Sequence, residues 1–434
     1  MSEAQRSSSY VAPDTLDLRE TTTTTTIPLV HVINAPFSLH FIAGQVGFMA
    51  ERRFATSVIT SPGDHLEAFG QREGIAVYGI EMPRRITPLR DLVALARMYR
   101  RFRRIRPMIV HAHTPKGGLL GMIAAWLARV PVRIYHIRGL PFVTATGMLR
   151  AILWATERTA CSLAHRVLCV SHSVREVAID SGVCKAGNVH VLLAGRGNGV
   201  DAVGRFNPDR WSHAREDVRR RHAIPQDALV IGFIGRLVRD KGLAELVAAW
   251  RTLREELPQL RLLIVGGFET RDPVPPDVRA ALCTDPRIHM VGWDNNTPPY
   301  YKAMDVFALP SYREGFSNVL LEASSMALPV VTTRIPGCTD AVRDGATGTL
   351  VEVGDVSSLT SALRLYLGDA ELRQRTGRTG REHVLLHFRR EAIWEALYDE
   401  YDRLLRENGW VTEDVNDESA NDDRVSLIAR RLRA

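Results

Sequence analysis

Two cations, Arg236 and Lys241, stand in the run Gly235-Arg236-Leu237-Val238-Arg239-Asp240-Lys241-Gly242. An apolar stretch, Leu229–Ile234, precedes the run, and a helical pattern, Leu243–Arg254, follows it. At a helix start, exposed backbone N–H groups and the dipole add to side-chain charge, so Arg236 and Lys241 read as an anion site. They could instead be solvated loop cations. Their place at the carboxyl end of a buried strand favours the anion site. The run is not a Walker A loop, because no Gly-x-x-x-x-Gly-Lys-Ser/Thr occurs in the chain.

A second constellation is Glu314-Gly315-Phe316-Ser317-Asn318-Val319-Leu320-Leu321-Glu322. Ser317 or Asn318 can cap a helix running to Ala327, which leaves Glu314 in the loop and Glu322 on the second turn. The amides from Gly315 to Val319 lie between the two carboxylates and suit phosphate oxygens. Such a site suits a ligand carrying both phosphate and hydroxyl groups, as nucleotide sugars do. Alone, Glu314 would be an ordinary loop acid and Glu322 an exposed helix acid, but apolar Leu320, Leu321 and Ala323 weaken the exposed reading. His111-Ala112-His113 could be a metal pair. With no third ligand apparent and a glycine-rich loop following, structural or substrate-contact histidines are expected, and no metal site.

The elements that must hold these residues alternate along the chain. Strand-like runs fall at Pro28–Ile33, Thr56–Ile59, Met108–His111, Val132–Ile137 and Val167–Val170. A second series falls at Leu229–Ile234, Arg261–Val265, Ile288–Val291, Val306–Leu309 and Pro329–Thr332, with helical patterns such as Asp91–Arg104 between. This alternation predicts an α/β protein of two doubly wound parallel sheets, with ligands at the carboxyl ends of the strands. A Gly/Asn/Pro-rich break at Ala194–Pro208 separates the series. The expected domains are 27–203 and 204–387, followed by a helix within 388–410 that packs back on the first domain. A disordered tail is expected over 1–26 and a charged tail over 411–434.

The 434 residues are 45% hydrophobic and 24% charged, the balance of a folded protein with room for two cores. The most apolar stretch, Leu119–Leu127, gives out at Arg129, so no membrane span is expected. The polar N-terminus lacks a signal-like apolar core, and five scattered cysteines form no Cys-x-x-Cys pair, which points to a reducing cytoplasm. The net charge of +7 asks for an acidic partner. Nucleic acid is not expected, since the cations match no nucleic-acid module. Many lie between Arg84 and Arg106, interleaved with Leu89, Leu92, Val93 and Phe102. That stretch is either a solvated face or a membrane-surface helix drawn to anionic lipid.

Taken in order, these motifs resemble a family. Glu314 with Glu322, Arg236 with Lys241, and Asn198-Gly199-Val200-Asp201 resemble retaining family 4 glycosyltransferases, with the GT-B fold of two facing Rossmann-like domains. Gly44-Gln45, His113-Thr114-Pro115-Lys116-Gly117-Gly118, Arg138-Gly139-Leu140 and Pro310-Ser311-Tyr312-Arg313-Glu314-Gly315-Phe316 resemble its capsule and O-antigen branch. The resemblance spans about Ile27 to Arg406.

It implies a sugar moved from a nucleotide-sugar donor, UDP-linked, to a lipid-linked saccharide at the inner face of the membrane. It implies no cofactor and, without an Asp-x-Asp site, no metal. By resemblance, Arg236 and Lys241 bind the diphosphate, Glu322 the ribose and Glu314 the transferred sugar. Gly235, Gly315, Phe316, Ser317, Asn318 and Val319 complete the donor loops. Gly292 and Trp293 would meet the base, and Gly44 and Gln45 would approach the diphosphate. His113, Lys116 and Arg138 lie on the acceptor side. Arg138 stands where the wider family often has His, while His136 shares its strand face, so either could reach the acceptor. A nucleotide-sugar 2-epimerase on the same architecture is the alternative enzyme. A basic membrane- or nucleic-acid-binding protein on a relict fold is the non-enzymatic one.

Overall fold

The computed structural model describes residues 26–195, 197–270 and 272–410; the expected tails, Thr26 aside, lie outside them. Strands β1 Ile27–Val32, β2 Phe54–Thr60, β3 Ala76–Gly79, β4 Ile109–His113, β5 Val132–Ile137, β6 Arg166–Cys169 and β7 Val189–Val191 form one sheet, in the order β3-β2-β1-β4-β5-β6-β7. Strands β8 Leu229–Ile234, β9 Leu260–Val265, β10 Ile288–Gly292, β11 Val306–Leu309, β12 Val330–Thr333 and β13 Gly348–Val351 form the second, ordered β10-β9-β8-β11-β12-β13. Neighbouring strands such as β1 and β4, or β8 and β9, pair in parallel. Runs like Leu-Val-Ile-Gly-Phe-Ile in β8 are apolar throughout because helices cover both faces.

Alternate side chains of the first sheet serve two cores. Val30, Val110, Ala112 and Tyr135 face the helices Pro88–Ile105 and Pro115–Leu127. Leu29, Ile109, Ile134 and Leu168 face the other way, onto Leu397, Tyr401, Leu404 and Leu405 of the final helix, Arg390–Glu407. The chain thus enters the second sheet and returns to finish the first. Where it crosses, Val200 N–H donates to Phe388 O at 2.8 Å. Gly199 has φ +60°, and a Cβ there would lie 2.2 Å from Arg390 Cα. Only glycine tolerates both conditions.

The structure differs from the sequence reading at several points. Strands β3, β7 and β13 went unrecognised because they are short edge strands without a continuous apolar run. Strand β4 runs on to His113, its histidines buried in the sheet rather than ending it. The expected glycine-rich loop is the start of the helix Pro115–Leu127. A Cβ on Gly118 would lie 2.1 Å from the Tyr135 ring, and one on Gly121 3.0 Å from Ala112 Cβ, so these glycines let the helix press onto the sheet. The helix expected to reach Ala327 spans Asn318–Ser325. Ala327, at φ +60°, turns the chain while Leu328 N–H donates back to Ala323 O, a left-handed C-terminal closure.

Candidate active site

The second-domain residues gather at the carboxyl ends of β8, β10 and β11. Beyond β8, Gly266 approaches Gly235 so closely that a Cβ would sit 1.8 Å from the Gly235 carbonyl oxygen. The next residue, Arg236, pairs with Glu269 at 3.1 Å. Lys241 ends a short 3-10 turn, and Gly242, at φ +67°, lies against Pro310 O where a Cβ would be 1.9 Å away. That approach brings Lys241 Nζ to 2.5 Å from Glu314 Oε1, and Ser311 Oγ also donates to Glu314, at 2.9 Å. The sequence reading gave Lys241 and Glu314 separate roles; the structure pairs them. Ser317 occupies the N-cap of the Asn318–Ser325 helix but makes no side-chain cap bond of its own. Glu322, half-buried, accepts from Tyr301 Oη at 3.0 Å.

In the first domain, register sets His31 beside His111 and His113 beside His136, all on the face covered by Arg390–Glu407. The four imidazoles are buried and stacked. Arg138, just past β5, lies 3.2 Å from His113 Nδ1, its guanidinium over the Phe41 ring. A guanidinium can only donate, so His113 Nδ1 accepts and its proton sits on Nε2. Nε2 then donates to His31 Nδ1 at 3.0 Å. A parallel line runs from Tyr401 Oη to His111 Nδ1 at 2.6 Å, and from His111 Nε2 to His136 Nδ1 at 3.3 Å. Burial first, and Arg138 and the neighbouring imidazoles next, depress every histidine of the stack, His31 to about 3.

His31 is the third ligand that the sequence did not show: nitrogens of His31, His111 and His113 lie within 4.8 Å of one another. The hydrogen bonding argues against a cation among them. His31 Nδ1 and His113 Nε2 already share a proton, both His111 nitrogens are engaged by Tyr401 and His136, and the Arg138 charge stands alongside. These residues fit a neutral imidazole stack.

The two halves touch around Gly315 and around Asp340. A Cβ on Gly315 would lie 1.9 Å from Arg138 O, and Ser171 Oγ donates to Gly315 O at 3.3 Å. Asp340 of the second domain accepts from His172 N–H at 2.8 Å and Ser173 N–H at 3.2 Å, at the start of the first-domain helix His172–Asp180. A carboxylate there complements the helix dipole and latches the domains together.

Residues 214–383 match the family Glycosyl transferases group 1, and residues 41–195 match the Glycosyl transferase 4-like domain. The capsular polysaccharide biosynthesis glycosyltransferase CapM of Staphylococcus aureus is 31% identical over 380 residues, 88% of this chain and 98% of CapM. The chain belongs to the family 4 glycosyltransferases.

This glycosyltransferase falls in the capsule and O-antigen branch and has the GT-B fold. It is 28% identical over 284 residues, 64% of its length and 71% of the relative's, to an Escherichia coli enzyme named UDP-Gal:alpha-D-GlcNAc-diphosphoundecaprenol alpha-1,3-galactosyltransferase. The structure of HepE from Anabaena in complex with UDP and glucose matches with a TM-score of 0.72 at 18% identity, over 87% of this chain and all of that one. The 2-epimerase reading is not favoured, since both matched families and these named relatives are glycosyltransferases.

Not every expected residue of this family 4 glycosyltransferase faces the crevice. Lys116 turns to the Pro88–Ile105 helix, pairing with Asp91 at 2.8 Å and donating to Arg85 O. Gly44, at φ +74°, gives its N–H to Glu73 at 3.1 Å and lies against Trp394, and Gln45 is buried. The Phe316 ring packs on Phe388. Trp293, after Gly292 at φ +84°, is exposed. Of the two rival side chains, His136 is buried in the stack, while Arg138 is half-buried against the facing loop. Sequence reasoning missed Asn198 as a positioning residue. Its amide donates to His40 O and Ala43 O, both at 3.2 Å, and accepts from Trp394 Nε1 at 2.7 Å.

Proposed function

We propose that this glycosyltransferase moves a sugar from a UDP-sugar to a lipid-linked saccharide with retention at the anomeric carbon. The observation that carries the reading is the convergence of the Arg236, Lys241 and Glu314 loops with Arg138 at the Gly315 contact. A donor diphosphate needs fixed positive charge, which Arg236 and Lys241 supply and which grows in importance as the leaving group departs. Its arrival replaces the Lys241–Glu314 pair by Lys241–phosphate and frees the Glu314 carboxylate for hydroxyls of the transferred sugar. Glu322 takes the ribose hydroxyls, and the backbone at Gly292 and Trp293 meets the base. The bond from the anomeric carbon to the phosphate oxygen breaks as the acceptor oxygen bonds on the same face. The acceptor proton passes to the departing phosphate oxygen. Arg138 holds the acceptor side, with the neutral histidines behind it.

Support for the donor comes from HepE, solved with UDP, and support for the acceptor from the diphosphoundecaprenol enzyme, a relative by sequence. A lipid-linked acceptor would put the work at the inner face of the membrane. Among the described residues no helix is long and apolar enough to cross one. The decisive experiment screens UDP- and GDP-sugars with membrane extract and identifies the glycolipid product by mass spectrometry. Donor consumption without lipid acceptor would favour the epimerase instead.

Two expected results follow from the proposed roles. Glu322→Ala should weaken donor binding by one to two decades, since a hydrogen bond to a charged group contributes about 1.5–3 kcal/mol; calorimetry with UDP checks it, and unchanged affinity rejects the ribose role. A chelator should leave transfer rates intact because charge neutralisation comes from Arg236 and Lys241. Activity that vanishes with EDTA and returns with a divalent cation would reject that account.

A further inference from the structure

Strands β1, β4 and β5 change character along the face that the helix Arg390–Glu407 covers. Leu29, Ile109 and Ile134 stand toward their amino ends, and His31, His111, His113 and His136 follow them toward the crevice. All four histidines are 1% exposed or less, where aliphatic side chains would pack with no polar group to satisfy. The sequence set His113 on the acceptor side, yet a side chain so enclosed does not itself reach a saccharide. What it touches is Arg138.

Arg138 is pinned at both ends. Its carbonyl oxygen lies against Gly315 of the facing loop, and its guanidinium carbon sits 4.5 Å from the centre of the Phe41 ring. A ring face fixes how close a guanidinium comes but leaves it free to turn in its own plane. The bond from Arg138 Nη2 to His113 Nδ1, at 3.2 Å, removes that freedom.

That bond needs a lone pair on Nδ1, hence a neutral His113 with its proton on Nε2. His31 Nδ1 accepts from Nε2 at 3.0 Å, which keeps the ring from turning over. His136 does not compete for Arg138. Its Nε2 has no partner among the described residues. If Tyr401 donates to His111 and His111 to His136, one buried group, the His136 Nε2–H, is left unpaired. The reverse direction strands the Tyr401 hydroxyl proton as well, so the first direction holds. His136 Nε2 is therefore a donor, and offers the guanidinium nothing to bond. Yet the two stand together: a Cβ on Gly197 would lie 2.7 Å from His136 Nε2 and 3.0 Å from Arg138 Nη1.

We propose that His113 is a positioning residue: held by His31, it fixes the guanidinium plane of Arg138 toward the acceptor and touches no substrate itself. The proposal rests on the reading of Arg138 as the residue that holds the acceptor side. It gives His31, which the sequence left without a role, a place in the same line.

The test joins a direct view of the protons to kinetics of the full chain. With histidine nitrogens isotopically labelled, NMR of the wild type should find the His113 proton on Nε2. A proton on Nδ1 overturns the proposal, and that reading needs no variant to fold. His113→Leu should raise the acceptor KM about tenfold, the scale of one hydrogen bond to a charged group. Calorimetry should find its UDP affinity unchanged, since the donor loops lie in the other domain. His113→Asn, whose amide oxygen can stand where Nδ1 does, should recover most of the loss. In an Arg138→Ala background, His113→Leu should change the acceptor KM by less than about twofold, because the residue acts through Arg138. An acceptor KM unmoved by His113→Leu while Arg138→Ala raises it overturns the proposal alone. So does an effect of His113→Leu that persists undiminished without Arg138, which would mark a packing role. Arg138→Ala with wild-type acceptor kinetics would reject the reading of Arg138, and the positioning role with it.

Discussion

Replacing Lys241 by alanine is expected to lower turnover by about two to three decades, more than it lowers affinity for the donor. Lys241 reaches Glu314 at 2.5 Å in a crevice where both side chains are largely buried, so its removal has two consequences. The departing diphosphate loses the cation that faces it as its charge develops. Glu314 is also left without its counter-charge, so an incoming diphosphate meets a bare carboxylate. Steady-state kinetics against the donor, beside calorimetry with UDP, separates the two. Turnover within about threefold of wild type would remove Lys241 from the reaction.

Acidification from pH 7 to 5.5 is expected to remove much of the stability of the first domain. The four stacked imidazoles stay neutral in the fold, because burial and Arg138 depress them, His31 to about 3. In the unfolded chain they titrate near 6.5. Above that value neither state binds the proton and the stack makes no pH-dependent contribution. Below it the unfolded chain binds protons that the folded stack refuses, so stability falls as pH falls. Each histidine then loses about 1.4 kcal/mol per pH unit. Four of them at pH 5.5 amount to about 5 kcal/mol, comparable with the whole stability of an ordinary domain. Urea midpoints at pH 7.0 and 5.5 read this directly. A flat profile would mean that the stack takes up protons without unfolding.

The central strands were legible because their runs are apolar on both faces; Leu229–Ile234 and Val306–Leu309 coincide with β8 and β11. The convergence of the loops after β8 and β11, proposed to hold the donor, was legible because chain direction alone sets which ends of parallel strands converge. The Lys241–Glu314 pair was not, since it depends on how closely Gly242 lets one loop approach Pro310. Nor was the histidine stack. His31 stands in an apolar run, Leu29-Val30-His31-Val32, and its partners His111, His113 and His136 come from two other strands. A lone histidine inside a strand was the available signal, and only the register showed what it faces. Tyr401, which closes one line of the stack, comes from a helix 290 residues beyond His111 in the chain.

That returning helix also sets the order of events during synthesis. Residues Leu397, Tyr401, Leu404 and Leu405 roof one face of the first sheet, over Leu29, Ile109, Ile134 and Leu168. A ribosome adds about 5–20 residues per second, so roughly ten to forty seconds separate the emergence of the first domain's last strand from that of its roof. Throughout that interval the nascent first domain carries an open apolar face, while the second domain, whose strands β8–β13 all precede the roof, can close its own sheet. The domain begun first is therefore completed last. Until then its unroofed sheet is the exposed apolar surface that a chaperone would engage on the growing chain.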